Sequence, residues 1–164
     1  MIRCVTASVD ETRDLAAEIA PLCQERDLLV LAGELGAGKT VFAQGFGRGL
    51  GVDVPVTSPT FTLANRYEGR LVLDHLDVYR FEQLAEVRDL GLAELLDEGV
   101  TLVEWGDTIA PVLPNERLDV RLAFGPGDDD RVIELVPDGA RWRSRARRLE
   151  AVVAPWCDRG GEPC

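Results

Sequence analysis

Gly33-Glu34-Leu35-Gly36-Ala37-Gly38-Lys39-Thr40 satisfies the phosphate-cradling pattern G-x-x-x-x-G-K-[ST] at every specified position. Before it, Leu28-Leu29-Val30-Leu31-Ala32 is an unbroken apolar run of strand length; after it, Val41 to Leu50 reads as a helix. Strand, glycine-rich turn and helix in that order make an anion site. The glycines let the backbone curl so that successive N–H groups converge on phosphate oxygens, and the helix N-terminus adds its positive end. Glu34, Leu35, Gly36, Ala37, Gly38, Lys39, Thr40 and Val41 are therefore the candidate nucleotide-binding residues. Lys39 is suited to neutralise β- and γ-phosphates, and the Thr40 hydroxyl to ligate Mg²⁺. The 18 basic residues comprise 17 arginines and a single lysine, which is Lys39. An arginine-rich composition thus keeps its one compact ammonium where a phosphate nest needs a point charge rather than a planar fork.

The rest of the composition sets bounds. With 164 residues, 46% hydrophobic and 29% charged, the chain is expected to form one globular domain over 1–153, with residues 154–164 as a disordered tail. A net charge of −11 argues against a free-standing nucleic-acid binder, which needs a positive surface. No apolar run approaches membrane-spanning length and the N-terminus carries no export pattern, so a cytoplasmic protein is expected, without membrane contact. Cys4, Cys23, Cys157 and Cys164 show no C-x-x-C spacing and read as free thiols.

Upstream of the glycine-rich stretch, Ile2 to Thr6 reads as a strand. Ser8-Val9-Asp10-Glu11 is a capping box opening a helix that carries Leu15, Ile19 and Leu22 on one face and runs to about Glu25. This helix could simply cover the sheet, or its N-terminal polar residues, Ser8 to Thr12, could touch a nucleotide base. Downstream, Val54 to Thr62 is hydroxyl-rich and punctuated by proline, so it cannot be helix. Thr57, Ser58 and Thr60 fall where a switch segment would meet the γ-phosphate and metal. Phe61–Tyr67 and Arg70–Leu76 read as strands of a hairpin turning at Glu68-Gly69.

Two acids end apolar stretches. His75, Asp77 and Tyr79 share one face of a strand, because side chains alternate, and Asp77 lies at its C-terminal end, where open α/β sheets bind ligands. Gly99-Val100-Thr101-Leu102-Val103-Glu104 runs into an acid in the manner of a Walker B segment, so Glu104 is a candidate for the metal or the attacking water. Thr40, Asp77 and Glu104 are the candidate metal-site residues. His75, the only histidine, and Trp105 read more simply as structural residues. A short amphipathic helix is expected over 89–96, strands over Arg117–Phe124 and Arg131–Val136, and a final helix opening at Arg141 with five arginines, which could dock an acidic partner or nucleic acid, or form a solvated face. Arg131 could reach a nucleotide or make a surface ion pair.

Taken together, Gly33–Thr40, Thr57-Ser-Pro-Thr-Phe-Thr62, His75-Leu-Asp-Val-Tyr-Arg80 and Val103-Glu-Trp105 resemble the TsaE (YjeE) family of tRNA threonylcarbamoyladenosine biosynthesis ATPases over roughly residues 8–140. The resemblance implies an α/β, three-layer P-loop NTPase fold with a mixed sheet, parallel at its core and antiparallel at its margins, flanked by helices. It implies ATP and Mg²⁺ as cofactors and TsaB and TsaD as partners. The activity it implies is slow ATP hydrolysis that supports turnover of the TsaB–TsaD complex in modifying adenosine 37 of tRNA, with tRNA met only through that complex. Carried onto this sequence, Lys39, Asp77, Glu104 and Thr60 become the catalytic set, with Ser58 to Thr60 as the switch.

Other readings share the same residues. A small-molecule kinase would have the same loop, but no arginine-rich lid insertion is evident. A GTPase would need an [NT]-K-x-D motif, and the one lysine is already committed. A nucleotide-gated binding module with negligible hydrolysis would need the same side chains as a slow ATPase.

Overall fold

The structure is a computed structural model and describes residues 1–59, 63–79, 88, 89 and 91–157. Thr60, Phe61, Thr62 and Arg80 lie outside the described residues, and with them the expectation for Thr60.

Seven strands form one sheet in the order β1-β7-β6-β2-β5-β4-β3: β1 (Ile2–Thr6), β2 (Asp27–Ala32), β3 (Ala64–Glu68), β4 (Val72–Asp77), β5 (Val100–Glu104), β6 (Arg117–Phe124) and β7 (Arg131–Asp138). The centre, β6-β2-β5-β4, is parallel, while β1 and β7 on one side and β3 on the other are antiparallel additions. This is the mixed sheet of a P-loop NTPase. β2 and β5 are buried almost throughout, which is why their sequences are near-continuous apolar runs rather than alternating ones.

Helix α1 (Val9–Ile19) starts where the capping box places it. Ser8 Oγ accepts the Glu11 N–H at 3.1 Å, and the Glu11 carboxylate accepts the N–H of Ala7 at 2.8 Å. The helix ends sooner than its periodicity suggests, because Pro21 belongs to a 3-10 turn over Ala20–Leu22. Helix α2 (Lys39–Gly49) begins two residues before the expected Val41, straight out of the glycine-rich turn. Leu15, Ile19, Phe42, Phe46, Trp142 and Leu149 are among the side chains that form the larger core, on one face of the sheet. On the other face a smaller core forms around Leu28, Val30, Leu76, Val103 and Ile109, covered by α3 (Leu92–Leu95) and a 3-10 segment, Gly106–Val112.

The packing of α1 on α2 is backbone against backbone. A Cβ on Gly45 would fall on the carbonyl of Arg13, and one on Gly49 on that of Ala17. The i, i+4 glycines thus open a seam into which α1 settles, fixing the helix that carries Lys39 and Thr40.

The chain closes with α4 (Gly139–Ser144) and α5 (Ala146–Cys157). α5 continues past the expected boundary at 154 because Val153, Trp156 and Cys157 are buried. Its arginines are not one solvated face either. Arg145 is buried and bidentate to Asp27 at 2.6 and 2.8 Å, with a further bond to the Leu22 carbonyl. Burial alone would lower the Arg145 pKa, but the hydrogen bonds and charge of Asp27 outweigh it and raise it. Arg141 donates to the Glu25 carbonyl and Arg143 pairs with Asp138, leaving Arg147 and Arg148 exposed. Cys4, Cys23 and Cys157 are buried and form no disulfide among the described residues, and the Cys4 and Cys157 sulfurs lie 3.3 Å apart. No helix among the described residues is long and apolar enough to cross a membrane.

Candidate functional site

The site lies where the parallel strands end. Gly36 (φ 80°) and Gly38 (φ 107°) take the left-handed backbone that an L side chain resists, and Gly38 is the N-cap of α2. That curl puts Lys39 and Thr40 in the first turn of the helix. Across from them stand Asp77 and Glu104, exact cross-strand partners at the ends of β4 and β5, while Glu104 also pairs in register with Leu31 of β2. Leu35, Gly36, Gly38, Lys39, Thr40, Val41, Ser58, Asp77, Glu104 and Trp105 line a single open cavity of about 270 Å³.

Every charged group in it is held. Lys39 Nζ donates to the carbonyls of Gly33 (2.6 Å) and Glu34 (2.9 Å) and lies 3.7 Å from the centre of a Trp105 ring. Burial lowers the Lys39 pKa below its usual 10.5, opposed by the charges of Glu104, Asp107 and Asp77. Two of its three donors are used, which leaves one for a ligand. Thr40 Oγ1 donates to Glu104 Oε1 at 2.8 Å, so its proton is spent and its lone pairs remain for a cation. Glu104 Oε2 lies 2.9 Å from His75 Nε2. Because a carboxylate only accepts, Nε2 is the donor, and Nδ1, buried, has no partner among the described residues. Asp77 accepts the Tyr79 N–H at 2.9 Å.

This donor set suits a magnesium–phosphate group. Among the described residues no three His, Cys, Asp or Glu side chains form a metal cage of their own.

Of the residues singled out in sequence, the structure brings Lys39, Thr40, Asp77, Glu104 and Ser58 together. Thr57 is not among the residues that line the cavity; its backbone N–H and carbonyl meet the Tyr67 hydroxyl. Val41, Leu35, Gly36 and Gly38 line the cavity, whereas Ala37 is fully buried in the loop's underside. Two residues do more than their sequence context indicates. His75 is a partner of Glu104 and not simply a core histidine. Trp105 forms a wall of the site: it adopts a left-handed backbone (φ 61°), unusual for a bulky side chain, and contacts both the Lys39 ammonium and the tilted ring of Tyr79, whose centre is 4.8 Å away. The only signal for Trp105 was its position next to Glu104. Arg131 makes no ion pair among the described residues; its guanidinium binds the carbonyls of Gly36 and Ala37.

Fold and loop together are those of the P-loop NTPase fold class. The profile of the family described as threonylcarbamoyl adenosine biosynthesis protein TsaE matches residues 6–133. The chain is 43% identical over 146 residues to the tRNA threonylcarbamoyladenosine biosynthesis protein TsaE of Bacillus subtilis, covering 88% of this chain and 90% of that one. It is 41% identical over 122 residues to the Treponema pallidum protein of the same name, covering 74% and 90%. The crystal structure of Bacillus subtilis YdiB superposes with a TM-score of 0.77 at 36% identity, covering 92% of this chain and 97% of that one. The chain belongs to the TsaE family.

Proposed function

We propose that this protein acts in tRNA threonylcarbamoyladenosine biosynthesis as an ATPase of low intrinsic rate, working in the cytoplasm with TsaB and TsaD and meeting tRNA only through them. The single observation that carries this reading is the convergence of Lys39 and Thr40 on Asp77 and Glu104 in one cavity of a TsaE-family chain. The backbone of Gly36 to Thr40 and the Lys39 ammonium cradle the β- and γ-phosphates of ATP. Thr40, Asp77 and Glu104 are the residues that hold Mg²⁺, directly or through water. The ion supplies charge neutralisation on the transferring phosphoryl group. Glu104 orients the water that replaces ADP on the γ-phosphorus. Both of its oxygens are already engaged, by Thr40 and His75, which leaves fewer lone pairs for the attacking water and supports slow turnover.

The same engagement favours a second reading, a nucleotide-gated module in which ATP orders the site for a partner and hydrolysis is negligible. Phosphate release from Mg²⁺–ATP, measured for the chain alone and with a TsaB–TsaD complex, separates the two. Slow release that rises with the complex supports the ATPase. Binding without release under either condition supports the module. Turnover by the isolated chain at ordinary metabolic rates, on the order of 10 per second, would contradict both.

A further inference from the structure

We propose that Cys4 and Cys157 are a reversible redox modification site, at which a hydroperoxide joins the two thiols and clasps α5 to β1. No cysteine lines the phosphate cavity, so the clasp stands apart from the nucleotide reading.

The pair comes from two periodic patterns that meet. Along β1 the side chains alternate, and Ile2, Cys4 and Thr6 are the buried set. Along α5, Leu149, Val153, Trp156 and Cys157 recur at helical spacing and form its buried face. The helix packs on β1 and α1. Its last residue thereby sets Cys157 Sγ 3.3 Å from Cys4 Sγ, although the two lie 153 positions apart in the chain. A disulfide bond is about 2.05 Å long, so the sulfurs have only about 1.2 Å to close.

Cys157 is the point of entry. It is 7% exposed where Cys4 is fully buried, and it stands in the last turn of α5. Pro155 in that turn has no N–H to offer the Ala151 carbonyl, which weakens this end of the helix. A small oxidant reaches the sulfur when the turn opens. The Cys157 thiolate attacks one peroxide oxygen, giving a sulfenic acid and releasing water or an alcohol. Cys4 then attacks that sulfur, forming the S–S bond and expelling the sulfenic oxygen as a second water. Two thiols lose two electrons and two protons, and the broken O–O bond takes up both. Cys23 does not compete, because burial and then Asp27 push its thiol far above the ordinary range. The closed loop spans nearly the whole chain, so the bond restricts the unfolded state strongly. In a reducing cytoplasm such bonds are transient and redox-sensing, which makes this a clasp and not a permanent staple.

The test treats the reduced full chain with hydrogen peroxide and follows it by non-reducing peptide mapping and thermal melting. The expected product joins the peptide holding Cys4 to the one holding Cys157. It melts roughly 5–15 °C higher than the reduced chain and reverts with a dithiol reductant. Cys157→Ser is expected to lose both the link and the gain, and Cys164→Ser to keep both. The map of the wild type needs no variant, so a substitution that impairs folding does not shield the proposal. A link through Cys23 or Cys164 instead, a sulfinic acid at Cys157 without a link, or no reaction overturns the site. So does a Cys4–Cys157 link that leaves Tm unchanged or that the reductant does not reverse.

Discussion

Glu104 is gripped from two directions, and each grip has a measurable consequence. Glu104→Gln preserves shape but removes the charge; ATP hydrolysis is expected to fall by at least about 100-fold, with ATP affinity changed only a few-fold, as single-turnover and binding measurements would show. In the proposed site His75 would act on the nucleotide only through Glu104, as a positioning residue. His75→Leu is expected to lower kcat by about 10- to 100-fold with little change in KM, whereas His75→Gln, whose amide nitrogen can replace Nε2, should recover most of it. An equal rise in KM in both variants would show that His75 is only structural. Residues of this kind divide by what a sequence can display. Lys39 and Thr40 were legible because the loop's backbone demands their types at a fixed spacing, and Asp77 and Glu104 because strand ends are ligand rims. The role of His75 was not, since it comes from a carboxylate 29 positions away.

At the scale of elements, alternation and capping revealed nearly every strand and the start of α1, because those signals are local. What escaped depends on long-range contact. The purpose of Gly45 and Gly49 within α2 shows only once α1 is laid against them. The arginine-rich terminal segment reads as a surface, yet Arg145 reaches 118 positions back to Asp27 and anchors α5 beneath β2. Removing one member of that buried pair strands the other. Arg145→Met is expected to destabilise the fold by about 3–5 kcal/mol, and the double change Arg145→Met/Asp27→Leu by markedly less, as denaturant titration of both would show. The same neighbourhood governs Cys23, whose thiol is pushed well above its ordinary pKa by burial and by Asp27, with Arg145 and Arg70 opposing.

Across the whole molecule, the net charge of −11 makes the binding of a polyanion depend on a small positive enclave within an acidic body. Binding should therefore stabilise the chain strongly only when magnesium accompanies the nucleotide. At ATP concentrations near 100 times Kd, linkage gives about 2.7 kcal/mol. For a domain of this size, that is a rise in Tm of roughly 5–10 °C. A shift of the same size with ATP and a chelator would remove magnesium from the proposed site.

The three tryptophans are unequally placed. Trp142 and Trp156 belong to the main core, while Trp105 alone rests on the Lys39 ammonium. A cation on an indole face alters its excited state, so the protein's near-ultraviolet emission is partly a record of where that ammonium stands. When Lys39 turns toward phosphate, light from one ring should change and light from the other two should not. Replacing Trp105 with Phe should silence the response. The chain thus carries its own optical gauge of occupancy, set by a single side-chain contact.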